Sequence, residues 1–312
     1  RELYFEFWLM FFALSLYANG LGLNVSSAFK SAVTIYIVIP FLIIPQLMLS
    51  GLLVKFEELN PAMSARSVVP ISGDLMATRW AFEGLAVALY TQNEYKEPVY
   101  DLESEKINLT FYRTTWYYKM SELLTLAAES KSDSLYPLLQ KEFEKQGLSE
   151  NLISAETLQN GEAKRQLDRL RKTLNQQYDQ VLLELDEQIM LTAENAGVKD
   201  YEELRHYYFN DRLEDLVRNR DVLSDKIYIE NGELHPGSNS IYFNPPHGQF
   251  IRAQLFAPHK FVFGGYADTF WVNVIVILLM AIFLHFVLYY RVLEFAIARL
   301  ENLKLASKFS KK

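Results

Sequence analysis

Three stretches of this sequence run without a formally charged residue for long enough to cross a bilayer: 7–29, 31–54 and 269–290, of 23, 24 and 22 residues. A membrane-crossing helix takes about 20 apolar residues. Buried core helices would meet the same length criterion. Here, however, Glu6, Lys30, Lys55, Asp268 and Arg291 bound the runs closely, with charge at the ends and none between. The expectation is three transmembrane helices. The first run does not fit a signal peptide, because it is too long, has the acidic flanks Glu2 and Glu6, and leads almost directly into the second. The sequence starts at Arg1 rather than at a methionine, so further residues are expected upstream.

Positive charge beside the membrane sets orientation. Arg291, Arg299, Lys304, Lys308, Lys311 and Lys312 follow the third run against only Glu294 and Glu301, and 294–312 therefore reads as a basic cytoplasmic tail. Three crossings would then put the turn at Lys30 inside and residues 55–268 outside. That long segment holds 23 basic and 34 acidic residues, a net charge of −11. This is compatible with an outer location without proving it, since a loop of such length translocates whatever its charge. The mean hydropathy of −0.02 is thus an average over blocks of opposite character. A net charge of −7 counts against nucleic acid as a partner, because phosphate binding needs clustered Lys and Arg. The lack of cysteine excludes disulfides, thiolate metal sites and cysteine nucleophiles.

The outer segment is helical by pattern. From Glu156 to Ala196 there is no proline and only Gly161, and Leu167, Leu170, Leu174, Tyr178, Val181, Leu185 and Ile189 recur at steps of three and four. This predicts one amphipathic helix of about 40 residues, about 60 Å long. Its stripe would pack against helices at 116–130, 134–146 and 201–222, or else against a second chain as a coiled coil. From 225 to 263 the pattern changes to short β-like runs (226–230, 240–243, 249–256) split by Gly232, Pro236, Pro245, Pro246 and Gly248. The expected division is 1–54 with two transmembrane helices, 55–99 an external loop, 100–255 a helical extracytoplasmic insertion with a few short strands, 256–293 the last transmembrane helix, and 294–312 the tail.

Phosphate-binding glycine loops are missing, as are the H-E-x-x-H and G-x-S-x-G patterns, so this segment reads as neither a nucleotide-binding domain nor an enzyme, and no metal is expected. The polar residues that need explaining lie in the apolar runs. His285 is costly at that depth and marks either a solute pathway or a contact with a neighbouring helix. Asn19, Gly20, Gly22 and Asn24 permit close helix packing. Pro40 and Pro45 should bend the second helix, either as a packing kink or to line a path beside Gln46.

The stretch Gly20-Leu21-Gly22-Leu23-Asn24-Val25-Ser26-Ser27, then Ile44-Pro45-Gln46-Leu47-Met48-Leu49-Ser50-Gly51-Leu52-Leu53-Val54, then Arg79-Trp80-Ala81-Phe82-Glu83-Gly84-Leu85, resembles the end of the permease domain of G-subfamily (White-type) ABC transporters, within the ABC-2 membrane class. The likeness covers 1 to about 95 and, through Ala257-Pro258-His259-Lys260 and Asp268-Thr269-Phe270-Trp271, 257 to about 300, and is strongest to Bacteroidetes-like bacterial members. It implies a membrane all-α fold whose three spans are the fourth, fifth and sixth of a six-helix ABC-2 permease in a bacterial inner membrane. Arg79 to Tyr90 would be a re-entrant helix with Arg79 and Glu83 paired. Leu52 and Leu53 would form an apolar plug, with Leu47 and Ile44 lining the cavity below. The implied activity is alternating-access transport of an amphipathic or lipid-like solute. ATP and Mg would sit in an associated nucleotide-binding domain, with a second permease half completing a homodimer amid membrane lipid. The 100–250 segment departs from the family, being far longer than its usual external loop and lacking its cysteines. The alternative is a non-transporting membrane anchor for a periplasmic helical interaction domain.

Overall fold

The computed structural model describes residues 3–29, 31–53, 56, 68–130, 133–219, 226–245 and 250–299. In chain order its first helices are α1 (Tyr4–Ala28), α2 (Ala32–Met48), α3 (Ile71–Asp74), α4 (Ala77–Thr91), α5 (Tyr100–Phe111), α6 (Tyr117–Ser130) and α7 (Tyr136–Lys145). There follow α8 (Ala155–Gln159), α9 (Glu162–Ala196), α10 (Tyr201–Tyr208) and α11 (Asp211–Arg218). Two antiparallel hairpins, β1 (Ile227–Glu230) with β2 (Glu233–Pro236) and β3 (His259–Val262) with β4 (Gly265–Asp268), precede α12 (Thr269–Tyr289). The chain divides into two compact units, one of Tyr90–Asn244 and one of Glu2–Leu89 with Pro245–Lys312.

The second of these units holds the apolar helices. α1 and α12, of 25 and 21 residues, are long and apolar enough to cross a membrane. They lie side by side and run in the same direction: Met10 and Ala13 pack with Phe270, Val274 and Ile277 toward their starts, while Asn24 Nδ2 donates to the Leu284 carbonyl at 2.8 Å toward their ends. Trp271 and Tyr289 stand 18 residues apart on α12, about 27 Å, which matches the separation of the two aromatic belts of a bilayer.

The expectation of three transmembrane helices is corrected here. Among the described residues two helices meet the criterion, and α2 does not, because its 17 residues span only about 25 Å. The charge-free run of 24 residues overstates the helix because Ser50 and Gly51 end it early. The Ser50 hydroxyl donates to the Leu47 carbonyl at 2.7 Å and accepts from the Leu52 amide at 3.2 Å, and Gly51 takes a left-handed φ of 83°. α2 ends against α4: its Gln46 carbonyl accepts from the Thr78 hydroxyl, in the first turn of α4, at 2.7 Å.

The unit of Tyr90–Asn244 has its own core. Trp116, Met120, Leu139, Phe143 and Leu167 are fully buried together. A π-helical turn at Tyr112–Trp116 joins α5 to α6 in one continuous rod, so the helix expected from Trp116 begins at Tyr100. Trp116 Nε1 donates to Glu142 Oε2 at 2.7 Å, and the Leu234 amide donates to Glu142 Oε1 at 3.0 Å, which ties the π-helical turn, α7 and β2 to one buried carboxylate. The predicted helix of about 40 residues is divided at Gly161, whose φ of 72° no helix interior accepts, leaving α9 with 35 residues. Leu167, Leu174, Val181 and Leu185 face inward from α9, so its apolar stripe is used within the unit and is not free for a second chain. The helix expected at 201–222 is broken where the Asn210 side chain caps the Leu213 amide, and its last residues lie outside those described. Of the expected strands, 226–230 is β1, whereas 240–242 is a 3-10 turn and the described part of 249–256 makes only an isolated bridge at Phe250.

Expressed alone, residues 90–244 should give a helical circular dichroism spectrum and a single cooperative melt, and Leu167→Ala within them should cost about 2–5 kcal/mol in chemical denaturation. A disordered spectrum would contradict the separate core.

Candidate functional site

Among the described residues, the membrane-associated unit holds a group of charged side chains whose centre, Arg79, Glu83 and Lys260, has almost no access to water. Arg79 and Glu83 lie one turn apart on α4 and are 1% and 0% exposed. Arg79 Nη1 donates to Glu83 Oε2 at 2.8 Å, and its other terminal nitrogen donates to Asp74 at the end of α3. From β3, Lys260 Nζ donates to Glu83 Oε1 at 2.9 Å. From the second turn of α12, Asn273 Nδ2 donates to Glu83 Oε2 at 2.9 Å and to the Trp80 carbonyl at 2.8 Å. Arg252 Nε completes the group by donating to the outer carboxylate oxygen of Asp74 at 3.1 Å.

Local sequence explains the convergence. The four-residue spacing puts Arg79 and Glu83 on one face of α4. The two-residue period of β3 turns Lys260 to the side opposite His259 and Phe261. Gly84 lets α4 come close, since a Cβ there would stand 2.9 Å from the Met10 Cε of α1 and 3.4 Å from Asn273. Asp268 caps α12 by accepting from the Phe270 amide at 2.7 Å, and the Thr269 hydroxyl donates to the Ala257 carbonyl at 2.6 Å, which fixes β3 relative to the start of α12.

The charges offset one another's burial unequally. Complete burial pushes the Glu83 carboxyl up, but the Lys260 ammonium and the Arg79 guanidinium, with hydrogen bonds from Lys260 and Asn273, outweigh it and hold the group below its usual range. Burial lowers Lys260 and Arg79, and their carboxylate partners offset only part of that. For Asp74 burial wins over Arg79 and Arg252, and its pKa is raised. Ion pairs of this kind are costly to break from one side, because the remaining charge stays buried without compensation.

Of the residues read from the sequence, Arg79 and Glu83 are at the centre of this group. Ile44, Leu47, Leu52 and Leu53 are not members of it. The first two lie on α2 and the last two in the turn after Gly51, and all four are half or more exposed. His285 donates from Nδ1 to the Ala281 carbonyl of its own helix at 2.8 Å, and its ring lies against α1 at Gly20, where a Cβ would stand 3.4 Å from it. The polar link between α1 and α12 comes from Asn24 instead. Sequence reasoning missed Asp74, Lys260, Asn273 and Arg252 as partners. The available signal was a single lysine inside the otherwise apolar stretch from Phe256 to Gly265, with His259 beside it. No protein-family model matches the chain, and no curated protein or solved structure matches it either.

Glu83→Ala should lower the stability of the folded chain by about 3–5 kcal/mol, measured by thermal or denaturant unfolding in detergent, because Lys260 and Arg79 then lose their shared anion. The pH dependence follows from the depressed Glu83 pKa. Its contribution is fully present above the unfolded carboxylate value of about 4.3 and is lost as pH falls through the lower folded value. The melting temperature should therefore fall on acidification below about pH 4, with a shallower fall in Glu83→Gln. Equal slopes in the two proteins would remove Glu83 from the acid response.

Proposed function

We propose that this chain is the membrane-embedded permease part of an ATP-driven transporter of the G-subfamily kind, moving an amphipathic or lipid-like solute by alternating access, with ATP hydrolysed by a domain outside these residues. The observation that carries the reading is the buried Arg79–Glu83–Lys260–Asn273 group, which locks α4 and β3 to the start of α12. Alternating access needs rigid bodies with two discrete packings, and a network this costly to open makes α1, α4 and α12 one such body. α2 has the opposite character. It is apolar yet has no buried residue, and with the turn after it presents Ile44, Leu47, Leu52 and Leu53 uncovered. In this reading a second permease half covers that surface, and the two halves close the path between them. To reverse the populations of the two packings, ATP must favour one by about 5.5 kcal/mol.

The same end of the α1–α12 pair carries Lys30 in sequence after α1 and Arg291 after α12, which supports a cytoplasmic location for that end and an outer one for the buried ion group. The membrane would be a bacterial inner membrane. A second reading, a membrane anchor for a helical interaction domain, is favoured by the separate core of Tyr90–Asn244.

Reconstitution of the complete protein in proteoliposomes tests both. Solute-stimulated ATP hydrolysis is expected, and Leu52→Ala with Leu53→Ala should change coupled turnover severalfold with assembly intact. Unchanged turnover would remove those leucines from the gate. A well-folded preparation with neither ATP hydrolysis nor ATP-dependent solute movement would favour the anchor.

A further inference from the structure

α9 uses one face for the core of its unit and leaves the other uncovered. Arg165, Arg169, Lys172, Gln176, Asp179, Leu183, Glu187, Met190 and Glu194 follow one another at steps of three and four, and all are exposed. They therefore form a single stripe along the helix. Leu183 and Met190 are 72% and 66% exposed within it. Charge along the helix is divided by position. Residues 162–173 hold five basic and two acidic side chains, whereas 179–196 hold five acidic and no basic ones.

We propose that this outward stripe is a self-association surface on which α9 of a second copy of the chain docks antiparallel. Charge complementarity selects this partner. An antiparallel copy brings the basic half of each helix against the acidic half of the other, and a two-fold axis repeats the match. With the axis between Asp179 and Gln180, Arg165 faces Glu194 and Lys172 faces Glu187, while Leu183 and Met190 gain cover from the stems of Gln176 and Arg169. A parallel copy would set like charge against like. An acidic partner or an anionic lipid surface would be repelled by the 179–194 half, and a basic partner by the 165–172 half. The inference does not depend on the transport reading, because the stripe lies within the unit of Tyr90–Asn244 and needs no ATP.

Residues 1–312 contain no cysteine, so a thiol introduced among them is the only one they carry. In the full chain in lipid nanodiscs or detergent at low salt, Gln180→Cys should form a disulfide-linked dimer on mild oxidation. Arg165→Cys and Glu194→Cys should each stay uncrosslinked alone, since 29 residues place the two thiols of a pair about 43 Å apart, and should crosslink when mixed. Adding Arg165→Glu with Lys172→Glu to Gln180→Cys should cut the crosslinked fraction at least fivefold, and further adding Glu187→Lys with Glu194→Arg should restore it. Unchanged circular dichroism of each variant guards against misfolding. The proposal is overturned by a Gln180→Cys chain that stays monomeric, by Arg165→Cys crosslinking to itself, or by crosslinking insensitive to the charge reversal. Crosslinking only to a different protein would overturn it as well.

Discussion

A carboxylate with none of its surface in water has to be surrounded by cations and donors, and Glu83 is. Lys260, Arg79 and Asn273 occupy its two oxygens from β3, α4 and α12, and the lysine and the asparagine come from 177 and 190 residues further along the chain. That one requirement fixes much of the membrane-associated unit. It sets the rotation of α4, and it fixes the face of β3 that points inward. It also sets the depth at which α12 begins, since Asn273 must reach both the Trp80 carbonyl and the Glu83 carboxylate. Gly84 is the steric counterpart, because a Cβ there would stand 2.9 Å from the Met10 Cε and would push that side-chain tip aside.

The parallel course of α1 and α12 follows from the same anchoring at one end and from Asn24 at the other. Close packing near Gly20 brings α1 against Leu284 and His285, where a Cβ would stand 3.2 Å from Leu284 Cβ. Small residues matter here because the attraction between apolar helices in lipid comes from packing and interhelical hydrogen bonds rather than from the exclusion of water. The apolar surface left outside this pair is of two kinds. On α12, Ile275, Leu279, Ile282, Phe283 and Phe286 form the outward surface expected of a helix facing lipid. On α2 and the following turn the exposed leucines and isoleucine belong to a helix too short for the same role.

Helix type and position were largely legible in the sequence wherever one period ran uninterrupted. The starts and ends of α1 and α12 fall within three residues of the charge-free runs that announced them. Lengths were misread where a local signal ended the helix inside a favourable run: Ser50 and Gly51 in α2, Gly161 before α9, Asn210 between α10 and α11. Absence of charge is a statement about solvation, whereas helix ends are set by capping and left-handed turns, and the two need not coincide. The candidate site was half legible. The four-residue spacing of Arg79 and Glu83 exposes their pairing to inspection, but Lys260 and Asn273 lie 177 and 190 residues from Glu83, and no local rule connects them.

The central claim is that Glu83 and Lys260 act as a unit that holds β3 and α4 together. A double-mutant cycle on unfolding, with Glu83→Gln, Lys260→Met and the double variant in one detergent at neutral pH, addresses it directly. The account predicts that the double variant is more stable than the sum of the single losses implies, by a coupling energy of about 2–3 kcal/mol. Single losses that add to within about 0.5 kcal/mol would show the two side chains to be energetically independent and would contradict it.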